Sequence, residues 1–263
     1  MKKLISLFLL CSCMLFLSLP VFAEGRDQQI LFSGDYGYIL LPDGSAEIIQ
    51  HSGGHESEMI PPELDGHTVT TIGDYAFENG KGIKSISIPD TIISLGANPF
   101  AFCPDLVSIW ISPEHPALTV KDGVLIDKTD HRLICFPAEL FTNFYTVPSE
   151  VEIIGERAFF NSQHLVTITI PENVKRIAES AFSVCVYLEK VTLLGGVEEI
   201  GDYAFHLCER LQSVTLSDSV TKIGRYAFLG CTKLKDLTIP EHSKDIGEGA
   251  FLQVPNQGGY SLC

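Results

Sequence analysis

From residue 72 onward the chain repeats one arrangement of apolar and polar positions. Six segments share it: Ile72-Gly-Asp-Tyr-Ala-Phe77, Ile154-Gly-Glu-Arg-Ala-Phe159, Ile177-Ala-Glu-Ser-Ala-Phe182, Ile200-Gly-Asp-Tyr-Ala-Phe205, Ile223-Gly-Arg-Tyr-Ala-Phe228 and Ile246-Gly-Glu-Gly-Ala-Phe251. A seventh, Leu95-Gly-Ala-Asn-Pro-Phe100, is a variant. The segments that begin at 154, 177, 200, 223 and 246 are each 23 residues apart, as are those at 72 and 95. From 95 to 154 the step is 59 residues, two periods and 13 more. With the first Ile or Leu counted as position 1, position 6 is Phe in every copy. Position 12 is Ile or Leu from Ile83 to Leu234 and then polar Gln257. Positions 15 and 17 are apolar pairs: Ile86 and Ile88, Ile109 and Ile111, Ile168 and Ile170, Val191 and Leu193, Val214 and Leu216, Leu237 and Ile239.

Alternation at 15 and 17 predicts a short strand with both side chains on one side. One such coil cannot bury its own apolar face, so successive coils must stack and share a core. The prediction is a β-rich solenoid whose coils each add a strand, spaced about 4.8 Å apart, to a parallel sheet. Phe at position 6 should then form an aromatic ladder. Pro89, Pro171 and Pro240 at position 18 suit a strand end, where a missing N–H matters least. Position 2 is Gly in six copies and Ala178 in one, so tight packing explains it at least as well as a left-handed backbone.

The 13 extra residues fall between Ser112 and Val147. Asp122-Gly-Val-Leu-Ile126, a polar turn Asp127-Lys-Thr-Asp130 and Arg132-Leu-Ile-Cys-Phe136 read as a β-hairpin, inserted near residues 118–140 and protruding from one enlarged coil. The phase returns with Tyr145, Val147 and Pro148. Residues 24–71 are irregular: Tyr36–Leu41, a turn at Pro42-Asp-Gly44 and Ala46–Ile49 read as a hairpin that caps the open end of the core. Tyr260 and Leu262 fall at positions 15 and 17 of one last strand. Residues 72–263 are therefore assigned to the solenoid.

The repeated Ile-Pro-x-x-Val-x-x-Ile-Gly-x-x-Ala-Phe-x-x-Cys, clearest from Ile170 to Cys185 apart from Ala178, together with Asp122-Gly-Val-Leu125, resembles the BspA-type leucine-rich repeats of surface proteins from bacteria and protists. The resemblance spans about Tyr36 to Gly247 and implies a leucine-rich-repeat solenoid. It also implies association with the cell surface, with adhesion to host matrix proteins and with attachment between microbes. A common fold carries function only as an analogy.

Residues 1–23 stand apart. Lys2 and Lys3 precede an apolar run from Leu4 to Phe22, and Val21-Phe22-Ala23 suits cleavage before Glu24. This reads as a secretory signal peptide; an uncleaved anchor and lipid attachment at Cys13 are the alternatives. No wall-anchoring motif and no second apolar span follows, so the expectation is a secreted, extracellular chain, with or without surface association, and no membrane span after cleavage. Loss of Lys2 and Lys3, with no acid, takes the formal charge from −15 to −17. A surface this acidic excludes nucleic acid as the expected partner.

Cys185, Cys208 and Cys231 share position 9 and stack in neighbouring coils, and Cys103 holds the same position earlier. Disulfides, a metal site and a ladder of buried thiols are the readings; three stacked equivalents cannot all pair, which favours the thiols. Cys135 and Cys263 lie elsewhere, and spacing sets no partner for them. His51 and His55, with Glu56 and Glu58, form the densest ligand-like cluster, in the loop His-Ser-Gly-Gly-His. Zinc is one reading and a hydrophilic loop the favoured one, so neither metal nor cofactor is expected. No nucleophile elbow, phosphate loop, dinucleotide fingerprint or His-Glu-x-x-His occurs, and the chain is read as non-enzymatic.

Position 16 lies between the two inward residues and faces out of the sheet. It reads Ser87, Trp110, Thr169, Thr192, Thr215 and Thr238. Trp110 is the sole Trp, set where small hydroxyls are the rule, with Val107 and Ser108 at positions 13 and 14 beside it. It is either an exposed binding anchor or a side chain packed beneath the inserted hairpin. The expectation is a secreted or cell-surface protein that binds an extracellular protein or a cell-surface ligand on this face. The alternative is a structural spacer or assembly module of the cell envelope. The pattern sets no oligomeric state.

Overall fold

The structure, a computed structural model, describes residues 29–255 apart from 79. The leader, Cys11, Cys13, the strand read at Tyr260 and Leu262, and Cys263 lie outside the described residues. Every regular element within them is a strand, and no helix is long and apolar enough to cross a membrane.

The repeat folds as a stack of coils. Thr167–Ile170, Lys190–Leu193, Ser213–Thr215 and Asp236–Thr238 pair in parallel at one-period offsets, so that Ile168 aligns with Val191, Val214 and Leu237. Ile168 and Val191 are fully buried, as the alternation requires. A second parallel ladder, which the pattern did not reveal, joins position 1 and the residue before it: Ile153–Ile154, Arg176–Ile177, Glu199–Ile200, Lys222–Ile223 and Asp245–Ile246. The third side of each coil is bonded as well. Position 6 donates its N–H to the position 5 carbonyl of the next coil, as from Phe159 to Ala181 at 2.8 Å and from Phe182 to Ala204 at 2.7 Å. Positions 4 and 8 follow the same rule and take positive φ, as at Tyr203 (56°) and Leu207 (57°). Their backbone polar groups are thus matched coil to coil around the perimeter.

Glycine at position 2 is there for contact. None of these glycines has positive φ. A Cβ on Gly201 would lie 2.7 Å from the carbonyl carbon of Ala178 and 2.8 Å from the nitrogen of Glu179. The coils touch backbone to backbone at this position.

The Phe ladder exists in two pieces. Phe136, Phe159, Phe182, Phe205, Phe228 and Phe251 stack with centroids 4.6–5.6 Å apart. Phe77 and Phe100 form a separate pair 5.2 Å apart, and His51 stacks on Phe77 at 4.6 Å. The core is divided in the same place, into one cluster from Tyr36 to Leu118 and another from Tyr145 to Ala250.

The divider is the inserted segment, and it differs from the expected protruding hairpin. Leu118–Lys121, Val124–Asp127 and Arg132–Cys135 form a three-stranded antiparallel meander whose last strand pairs in parallel with Ile153–Ile154. Leu125, Ile134 and Cys135 join the first core; Val124, Ile126, Leu133 and Phe136 join the second. The meander is buried on both faces. Protrusion would expose its apolar side chains, whereas placement between the halves buries both sets.

The N-terminal cap is a hairpin, Tyr36–Leu40 against Ala46–His51, which pairs in parallel with His67–Ile72. Leu31–Ser33 adds an outer antiparallel strand. Tyr38, Ala46 and Ile48 close the first core.

Candidate ligand-binding cleft at the sheet break

The meander has a consequence on the outer sheet. Ser57–Met59, Ser85–Ser87 and Ser108–Trp110 form a three-stranded parallel sheet, and Phe144–Thr146 begins a separate five-stranded one. Ser108–Trp110 pairs only with Ser85–Ser87, and Phe144–Thr146 only with Thr167–Ile170. Opposite the break the halves meet directly: Phe102 packs on Phe160 at 5.3 Å, Asn98 donates to the Arg157 carbonyl at 2.8 Å, and Tyr75 bonds Glu156 beneath the Arg157 guanidinium. The inserted segment therefore acts as a wedge. It opens the solenoid on the sheet side and leaves it closed on the other.

A cleft of about 440 Å³ occupies the opening. Val107 to Pro113 form one wall; Thr119, Val120, Gly123 and Leu140 form the other. No lining side chain titrates near neutral pH, so the cleft offers apolar surface, hydroxyls and backbone groups. Trp110 stands at this cleft 64% exposed, its indole N–H donated to Ser108 Oγ at 3.1 Å within its own strand. It is not covered by the meander, the second of the two readings of its sequence position. Val107 is also exposed.

The rest of the outward row is divided by the break. Ser87 lies in register with Trp110 and Met59, whereas Thr169, Thr192, Thr215 and Thr238 lie in one row on the other sheet. Sequence reasoning missed two exposed apolar residues near the break, Phe141 and Phe144, at 82% and 75%, and a third, Met59, at 75% on the far edge strand of the three-stranded sheet. Phe144 carried a signal, since position 14 is otherwise Ser, Thr, Lys or Asp.

The other candidates are structural. His51 is fully buried beside Tyr36 and Phe77, and its N–H donates to the Ala76 carbonyl at 2.7 Å, as a position 6 residue does. It is the first rung of the aromatic ladder. Glu58 lies 3.4 Å from its Nε2 and accepts the Tyr36 hydroxyl. Burial outweighs that carboxylate and holds the His51 pKa below its ordinary value. Glu56 is spent on Lys84 at 2.7 Å, and His55 lies 3.6 Å from Asp35. Among the described residues no group of three or more His, Cys, Asp or Glu is placed to hold a metal ion.

The position 9 cysteines are buried thiols. Each donates to the position 6 carbonyl of the preceding coil: Cys185 to Phe159 at 2.9 Å, Cys208 to Phe182 and Cys231 to Phe205 at 3.1 Å. Where the coil that starts at Ile154 has Ser162 instead, its hydroxyl bonds the Phe159 carbonyl of its own coil at 2.8 Å. Burial pushes the Cys103 and Cys231 thiols up to about 12, so they remain protonated donors.

A stack of 23-residue coils with a parallel strand per coil and a shared aliphatic core is a leucine-rich-repeat solenoid. The model of the BspA type leucine rich repeat region matches six copies over residues 62–120 and 134–256, and the chain belongs to that family. The unmatched residues between the two ranges hold the meander's two turns and its middle strand. Among curated proteins none matches in sequence. The pneumococcal vaccine antigen PcpA is similar in structure at TM-score 0.64 and 25% identity, over 70% of this chain and 47% of that one. This chain thus spans about half of PcpA. Leucine-rich repeat proteins of T. pallidum (TM-score 0.47, 24% identity, 87% of this chain and 92% of that one) and Eubacterium ventriosum (0.48, 18%, 88% and 96%) also match.

Proposed function

We propose that this protein is exported and binds a protein ligand at the cleft beside Trp110. The observation that carries this is the placement of an exposed Trp at the mouth of an apolar cleft, with Val107 beside it and Phe141 and Phe144 also exposed near the break. Exposed aromatic side chains beside a pocket are the usual anchors of protein interfaces. The lining has no acid, base or nucleophile pair, which supports binding over catalysis. Export rests on the basic-then-apolar leader before Glu24. Family membership and the likeness to the pneumococcal vaccine antigen PcpA support an extracellular, protein-facing role.

The test is binding of the chain from Glu24 onward to a panel of purified extracellular-matrix proteins, with Trp110→Ala alongside. The expected result is saturable binding to at least one, weakened at least tenfold in the variant, which corresponds to about 1.4 kcal/mol or more. Equal binding by both forms would remove the cleft from the account. No binding, by a protein whose mass in light scattering rises with concentration, would favour the spacer or assembly reading.

A further inference from the structure

The cleft is bounded by more than apolar side chains. Ser108–Trp110 is the last strand of its sheet, and Leu118–Lys121 is the first of the eight-stranded one. Residues of both line the cleft. The direction of the free backbone groups follows from the bonds on the paired side. Ser108 N–H donates to the Lys84 carbonyl at 3.2 Å, and the Trp110 carbonyl accepts Ile88 N–H at 2.9 Å. Successive residues of a strand turn their N–H and C=O to opposite edges. The N–H and C=O of Ile109, the N–H of Ile111 and the C=O of Val107 therefore point away from Ser85–Ser87, toward the break. In regular coils these groups bond the next strand, as the Thr169 carbonyl and Val147 N–H do at 3.0 Å. Here that strand is withheld.

We infer that the cleft takes an extended peptide segment of the partner as an added strand along Val107–Ile111. This deepens the binding reading above and rests on it. The free edge supplies main-chain donors and acceptors, and the apolar walls accept alternate side chains of the added strand. Charge names the flanks. Glu114 and Asp122 are exposed beside the lining residues Pro113 and Gly123, and Lys121 is engaged by Glu150 at 2.7 Å. The chain as a whole carries −15. The fitting segment has alternating apolar residues flanked by Lys or Arg. A second copy would bring the same acidic groups and the same net charge against themselves, which disfavours self-pairing.

The test is selection of a displayed library of random decapeptides on the chain from Glu24 onward. The expected binders alternate apolar residues, carry flanking Lys or Arg, and lose at least tenfold in affinity when synthesised with N-methyl groups on alternate central residues. They are also expected to slow amide exchange at Ile109 and Ile111, whose N–H groups have no partner strand in the free protein and should exchange faster there. Binders that need Trp110 yet tolerate N-methylation at every register would overturn strand addition and leave the binding face standing. Absence of any enriched peptide, or a dimer in sedimentation with Ile109 and Ile111 already protected, would overturn the inference outright. The methyl groups sit on the peptide, so no protein variant needs to fold for the decisive comparison.

Discussion

Phe182→Leu isolates the aromatic ladder from simple burial. Phe182 is fully buried, 4.6 Å from Phe159 at 18° and 5.0 Å from Phe205 at 3°. Leu keeps most of the apolar area but removes two stacked contacts, each worth about 0.5–1.5 kcal/mol beyond burial. The smaller side chain leaves a void that adds about 1 kcal/mol. The expected loss is about 2–4 kcal/mol. Phe100 serves as the internal comparison, because its one ladder contact is Phe77, tilted at 59° and 5.2 Å away. Phe100→Leu should cost about 1 kcal/mol less. The assay is urea unfolding followed by circular dichroism, with the slope checked for constancy, since a long repeat array can lose two-state behaviour. Equal losses at both sites, or a loss below about 0.5 kcal/mol at Phe182, would refute the ladder as a source of stability.

Three further outcomes follow from the same contacts. Cys208→Ala removes the thiol bond to the Phe182 carbonyl at 3.1 Å, leaves that carbonyl the Cys185 N–H at 3.3 Å alone, and opens a small void in the core; it should cost about 1–2 kcal/mol in thermal unfolding, with Cys208→Ser closer to wild type; a wild-type stability lowered by reductant would instead indicate a disulfide. Gly201→Ala places a methyl 2.7 Å from the backbone of Ala178 and should cost about 1–3 kcal/mol, although Ala178 itself shows that one junction accommodates the group; a stability gain would mean that the glycine is there for another reason. His51 and His206 both titrate below their ordinary value because burial disfavours the charged ring. The unfolded chain then binds more protons just below pH 6.5, so both stabilise fully above that pH and lose their contribution as pH falls through the folded values. A melting temperature that falls from pH 7 to pH 5, less steeply in His206→Gln, is the expected profile, and a flat one contradicts it.

The coil was legible because each apolar position recurs. One strand reading at Ile168 and Ile170 is ambiguous, but the same pair at Val191 and Leu193, then at Val214 and Leu216, leaves only stacking. The second ladder was hidden because it uses two residues per coil, too few to show a period. Left-handed positions 4 and 8 were hidden because Tyr203, Arg157 and Leu207 are not residues that advertise positive φ.

The wedge was misread for a physical reason that the residues do contain. A solvent-facing hairpin alternates apolar and polar residues, whereas Val124-Leu-Ile126 and Leu133-Ile-Cys-Phe136 are unbroken apolar runs, the mark of strands buried on both faces. Once the meander divides the core, the outer sheet must part, and Trp110 is left at the opening. Trp110 was legible as an outlier in a row of hydroxyls. The free strand edge was not, because it depends on where a partner strand fails to arrive.

The most direct measurement is acrylamide quenching of the intrinsic fluorescence, whose Trp component has Trp110 as its single source. At 64% exposure the account predicts red-shifted emission that quenches readily and becomes protected when a ligand occupies the cleft. A blue-shifted emission that acrylamide cannot reach would place Trp110 inside the fold, and would contradict the cleft as the binding site.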